Sequence, residues 1–314
     1  MHKDEKSVIL VKTLPREKDG KGMEVKKDGW LKMIWRLFYP LLLYMGIQIL
    51  LELMVSFVLT LKVLMDAGGL SMQHVVAKVL DLYLGLSYYV TVFGALAAIP
   101  FLYLFYRRDR KKRLEAGTEI IYCHATAMEY ILIGLVAFGA CIGGNNLILG
   151  SGLMEMDSSY QQVSEILYSA PFLVQLIGTG ILVPLCEELI FRGLMYKRLK
   201  EYVPAGTAMV TTALVFGLYH GNIVQMVYAM TLGYLMAYIY EKYHSFLAPF
   251  LFHAVSNLLS VLITETGIFG FMYTNKMMML LSGCIGVGIV LAGMRIIRND
   301  VKLEPKDPES KVEL

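Results

Sequence analysis

Two adjacent glutamates stand near the end of a long apolar stretch, in the run Cys186-Glu187-Glu188-Leu189-Ile190-Phe191-Arg192-Gly193. Carboxylates set side by side near hydrocarbon repel one another, so at least one needs a cation. Arg192 follows Glu188 by four residues, and on a helix the two share a face and can pair. Glu187 points about 100° away by helix geometry and stays outside that pair. An available carboxylate in a poorly solvated site is suited to act as a general base. A second group is Phe216-Gly217-Leu218-Tyr219-His220, and a third is His253-Ala254-Val255-Ser256-Asn257. His253 and Asn257 lie four apart and offer two hydrogen-bonding groups to one point. Taken singly, each group has a plain reading as an interfacial charge patch, a packed histidine or helix-to-helix glue. Taken together, an acid pair, a histidine and a histidine–asparagine pair on three separate spans can converge on one reactive site.

The elements that carry these groups are apolar. Of 314 residues, 56% are hydrophobic and 18% charged, against about half and a quarter in soluble domains. A bilayer-crossing helix needs roughly 20 apolar residues, and eight stretches approach or meet that length. They are about 37–61, 82–106, 127–149, 166–186, 205–220, 221–240, 245–264 and 277–294. The fifth is short, and a turn at Gly221–Asn222 separates it from the sixth. The expected fold is therefore all-α, a polytopic transmembrane helix bundle of about eight spans. Pro184, one turn before Glu187, should loosen the fourth helix and open space for water or substrate. Simple counting sets His220 roughly 24 Å from the start of its helix, about twice the depth of Glu187 and His253.

Lysine and arginine orient the bundle. Ten precede the first span, six lie in Arg107–Arg113, four in Arg192–Lys200, one at Lys242 and five from Arg295 onward. Only Lys62, Lys78 and Lys276 fall on the opposite side. The positive-inside rule then places both termini in the cytoplasm of a multi-pass protein of the cell membrane. Residues 1–30 and 299–314 read as short flexible tails around a membrane-embedded helical domain, 31–298, whose reactive core is about 165–265. Four cysteines are too sparse for a disulfide scaffold. No basic patch with interleaved aromatics suggests nucleic acid, and no Walker A sequence suggests a nucleotide. Neither Gly-x-Ser-Gly nor Gly-x-Gly-Asp supplies a serine or aspartyl intramembrane protease site. Glu52 and Glu129 stand isolated in their spans and read as packing or interfacial groups, while His74, His124 and His244 fall in loops or at helix ends.

The three groups, in order, resemble the CPBP family of intramembrane proteases, which includes the CAAX prenyl endopeptidases and the bacterial Abi proteins. The family pattern is Glu-Glu-x-x-x-Arg, Phe-x-x-x-His and His-x-x-x-Asn on separate spans. It is matched here by Glu187-Glu188…Arg192, Phe216…His220 and His253…Asn257. The resemblance implies hydrolysis of a peptide bond within or beside the membrane. It implies that Glu187 activates a water which His220 helps to hold, and that His253 and Asn257 stabilise the oxyanion. Glu188 and Arg192 would support that site, with Phe216 part of the same pattern. The family is described both as metal-dependent and as metal-free. A zinc ion would take Glu187, His220 and His253 with an open water position, but no His-Glu-x-x-His is present and asparagine is a poor zinc ligand, which favours a metal-free site. The expected partners are the lipid bilayer and a peptide or membrane-associated protein substrate. The competing readings are a non-catalytic membrane partner or bacteriocin-immunity protein with a structural Glu/His/Asn cluster, and a secondary transporter. The transporter reading lacks the two related halves it would need.

Overall fold

The computed structural model describes residues 29–66, 71–119, 122 and 124–304. Nearly all of the tail assigned to 1–30, and the tail 299–314 beyond residue 304, lie outside the described residues. The described chain is helical, with no strand among those residues. In order it forms α1 (Trp30–Asp66), α2 (Met72–Glu115), α3 (Ala127–Ser151), α4 (Ser158–Leu167) and α5 (Phe172–Leu199). There follow α6 (Ala205–Tyr219), α7 (Ile223–Tyr243), α8 (Leu247–Thr266) and α9 (Lys276–Asp300). All but α4 and α6 are long and apolar enough to cross a membrane, which makes seven. Each predicted span has its helix, but α6 has only 15 residues. Conversely α1 and α2 run to 37 and 44 residues, longer than a bilayer core requires. In α2 the excess includes the basic run Arg107–Arg113 before the helix ends.

Polar contacts fix the helix ends. Thr126 and Glu129 make a reciprocal capping box at the start of α3, so the isolated Glu129 is a capping group. Gly221 takes φ +73°, a left-handed conformation that glycine adopts without a Cβ clash. The chain there reverses between α6 and α7, and Asn222 caps α7 through Gln225 N at 2.8 Å. The short helix α4 was not foreseen. Asp157 caps it by accepting from Tyr160 N at 3.1 Å and ties it to α7 by accepting from Val224 N at 3.0 Å. Those amides, Val224 first, hold the Asp157 carboxyl below the ordinary carboxylate range.

A band of ion pairs joins the start of α1 to the ends of α2, α5 and α7. Arg198 donates to Asp109 Oδ2 at 2.6 Å, to Tyr39 Oη at 2.7 Å and to the carbonyl of Arg36. Arg36 pairs with Glu201 at 3.1 Å, and Lys200 and Tyr196 both donate to Glu241. Lys197 and Arg113 flank Glu119 at 3.5 and 2.7 Å. Burial works to raise the Glu119 carboxyl, but Lys197 and Arg113 outweigh it and hold it below its usual range. These cations belong to the segments that sequence placed on the cytoplasmic side. They gather at one end of the bundle.

Candidate active site

The site starts with an irregularity in α5. Between Gly178 and Leu182 the helix widens to π geometry, and Val183 N–H reaches back five residues to Gly178 O. The next amide in that register would come from residue 184 and satisfy Thr179 O. Residue 184 is proline and has no N–H to give. Asn257 of α8 supplies the missing donor, its Nδ2 meeting Thr179 O at 3.0 Å. Tyr88 of α2 threads the same turn, donating to Val174 O at 3.1 Å and accepting from Thr179 N at 3.2 Å. The close approach needs Gly178, where a Cβ would fall 2.5 Å from the tyrosine oxygen. Pro184 therefore does loosen α5, and the loosened carbonyl recruits Asn257.

One turn later the helix carries its acid pair. Glu188 is fully buried and accepts from Arg192 Nη1 at 2.8 Å; that guanidinium is 1% exposed. Arg192 also donates to Gly233 O of α7 at 3.2 Å and lies over the Phe216 ring at 4.4 Å. The same Glu188 oxygen meets His253 Nδ1 at 2.9 Å. A carboxylate paired to a guanidinium accepts, so Nδ1 carries the hydrogen and the other ring nitrogen is turned to Glu187, Nε2 to Oε2 being 3.6 Å. Glu187 makes no direct hydrogen bond among the described residues. It is the free member of the pair, as the spacing indicated.

His220 ends α6, half-buried, with Nδ1 2.8 Å from Phe216 O. A carbonyl only accepts, so Nδ1 is the N–H and Nε2 is left as an acceptor. Phe216 is the packing hub, edge-on to His220 at 4.9 Å and to His253 at 5.9 Å. Glu187, His220, His253 and Asn257 line one cavity of about 530 Å³, with Phe216 in its wall. The depth count from sequence set His220 apart; the bundle brings it to the same cavity. Glu188 and Arg192 do not line it and sit behind His253.

Residues 169–259, which hold all three motifs, match the family model for the type II CAAX prenyl endopeptidase Rce1-like proteins. Over this segment the chain is similar to the CAAX protease family. No curated protein and no solved structure matches the chain significantly. That similarity supports a membrane endopeptidase in general terms, and with the apolar helices it supports a multi-pass membrane protein acting on peptide substrates.

Among the described residues, no three His, Cys, Asp or Glu side chains gather into a group able to hold an ion. Glu187 and His253 approach each other, with His253 Nδ1 on Glu188 and Nε2 turned to Glu187. Sequence reading passed over several residues that complete this cavity. Tyr44 and Tyr219 line it with ring centroids 6.4 Å apart, and Gln48 steadies Tyr44 at 2.9 Å. Thr179 enters through its backbone, which no residue pattern announces. Glu52, set aside as packing, lines the cavity as well.

Proposed function

We propose that the chain is an intramembrane endopeptidase that uses Glu187 as its general base and no metal, with both termini in the cytoplasm. The observation that carries this reading is the shared cavity, in which four polar groups from three helices face one space. A water against Glu187 Oε2 and His253 Nε2, each at roughly 2.8 Å, fits the apex of their 3.6 Å base. Glu187 takes a proton from that water while His253 Nε2 accepts its second hydrogen bond, and His220 stands in the wall of the same cavity. The oxygen attacks the substrate carbonyl carbon, the C–O bond forms, and the carbonyl electron pair moves to oxygen. Asn257 uses one amide N–H on Thr179 and has a second to offer that oxyanion. His253 is aimed at the water by the Arg192–Glu188 pair. Collapse breaks the C–N bond, and the leaving amine takes the proton held on Glu187.

The test compares membranes bearing wild type with membranes bearing Glu187→Gln at equal expression, by mass spectrometry of released peptides. Peptides present with wild type and missing with the variant support hydrolysis and name the substrate. Indistinguishable profiles, with the wild-type cellular phenotype intact, overturn it in favour of a structural cluster. Addition and removal of chelator in the same assay reads the metal requirement; loss of cleavage restored by zinc overturns the metal-free assignment.

A further inference from the structure

The cavity extends beyond the catalytic groups, and its far end has a charge of its own. Glu52 lies on α1 eight residues beyond Tyr44, which at 1.5 Å per residue is about 12 Å along the helix. Tyr44 marks the catalytic end, its ring 6.4 Å from that of Tyr219. The Gln48 Nε2 bond to Thr91 O, at 3.0 Å, pins α1 to α2 between the two ends. Beyond it, Glu52 lines the cavity together with Tyr83 and Ser87 of α2. Glu52 is exposed, and among the described residues no cation or hydrogen-bond donor holds it. A carboxylate in a spanning helix is expensive against lipid and is usually turned to water, a partner or a substrate. Here it faces a cavity that also holds Glu187, and no lysine or arginine among the described residues lines that cavity. Arg192 is 1% exposed and committed to Glu188 and Gly233.

A cavity so charged repels a carboxylate and attracts a cation. We propose, building on the endopeptidase reading, that Glu52 forms a subsite for a lysine or arginine side chain of the substrate peptide. Extended chain advances roughly 3.3 Å per residue, so about 12 Å places that residue three to four positions from the bond cut at Glu187. The same field disfavours a substrate whose free C-terminal carboxylate enters this end.

The full-length protein in lipid vesicles, given a library of synthetic apolar peptides, tests this. Each peptide carries one lysine, one glutamate or one glutamine at successive positions, and cleavage sites are read by mass spectrometry with Glu187→Gln as the blank. Wild type should cleave lysine peptides roughly tenfold faster than glutamine peptides when lysine stands three to four residues from the cut, and glutamate peptides slowest. In Glu52→Gln the lysine-to-glutamine ratio should fall to about one, and in Glu52→Lys the glutamate peptides should become the preferred set. Charge-indifferent cleavage by wild type, or a lysine preference that survives in Glu52→Gln, overturns the subsite and leaves the endopeptidase standing. Wild type no different from the Glu187→Gln blank overturns both. The wild-type arm alone decides the preference should a variant fail to fold.

Discussion

Arg192 and Arg198 lie on the same helix, α5, each 1% exposed and each paired with a carboxylate. Arg198 spends its whole guanidinium on holding, reaching Asp109, Tyr39 and the Arg36 carbonyl on α1 and α2. Every donor in that set ends on a group near the end of the bundle, and Asp109 remains 16% exposed. Arg192 spends its charge on aiming. It neutralises a fully buried Glu188, which in turn fixes His253 and turns the ring to Glu187. The difference is one of dielectric. At the bundle end a lost partner can be replaced by water, whereas behind His253 it cannot, so the same residue types produce an anchor in one place and a poised site in the other.

The sharpest break in that comparison is Glu187→Gln. Removing the proposed general base should lower peptide release by about 10²- to 10⁴-fold, with the thermal midpoint in detergent little changed because Glu187 makes no direct hydrogen bond among the described residues. Asp109→Asn, equally conservative but at the holding end, should leave release within about twofold, since it touches no cavity group. Equal losses in the two variants would erase the distinction.

Truncating the two arginines separates them by stability. Arg192→Met strands the Glu188 carboxylate in the core and should cost about 3–5 kcal/mol. Arg198→Met strands groups that water can reach and should cost about 2 kcal/mol. Thermal melting of both variants gives the order. Adding Glu188→Leu to Arg192→Met should recover most of the stability without recovering peptide release, because His253 has still lost its anchor. Recovery of both would show that the ion pair only holds.

Asn257 stands between the two roles, since it both holds Thr179 and faces the cavity. Asn257→Ala leaves the Thr179 carbonyl without a donor and should cost about 1–3 kcal/mol. Pro184→Ala restores an N–H in the register that faces that carbonyl. In the double variant the loss attributable to Asn257 should shrink by about 1 kcal/mol relative to the sum of the single changes, read as a coupling energy from melting. Additivity would mean that Pro184 and Asn257 are unrelated.

The parts of this site legible in the sequence are those whose residue types are costly in an apolar span. Glu187, His220, His253 and Asn257 stand out against their neighbours, and the i, i+4 spacing of Glu188 and Arg192 states their pairing. The paths of the spans were legible for the same reason. What escaped was backbone. The π turn at Gly178–Leu182 leaves no periodic trace, so Pro184 announced a loosening but not the carbonyl that Asn257 serves. Straight-helix counting could not bring His220 to Glu187, because the depth of a residue depends on packing as well as on its distance along the chain. Glu52 was visible and undervalued: an isolated carboxylate has no motif, and only the cavity gives it a neighbour.

The holding end should also answer to pH where the aiming end does not lend it a proton. Glu119 is held below the ordinary carboxylate range because Lys197 and Arg113 outweigh the opposing effect of burial. The folded chain therefore binds fewer protons at this group than the unfolded chain does near pH 4.5, its reference value. Its stabilisation is complete above that range and is lost as pH falls through the depressed folded value. Glu119→Gln removes the titration and should lower stability at neutral pH by about 1 kcal/mol. Melting curves of wild type and Glu119→Gln should converge as the pH is lowered through the carboxylate range. A gap that stays constant there would assign the effect of Glu119 to shape and hydrogen bonding, with no contribution from its charge.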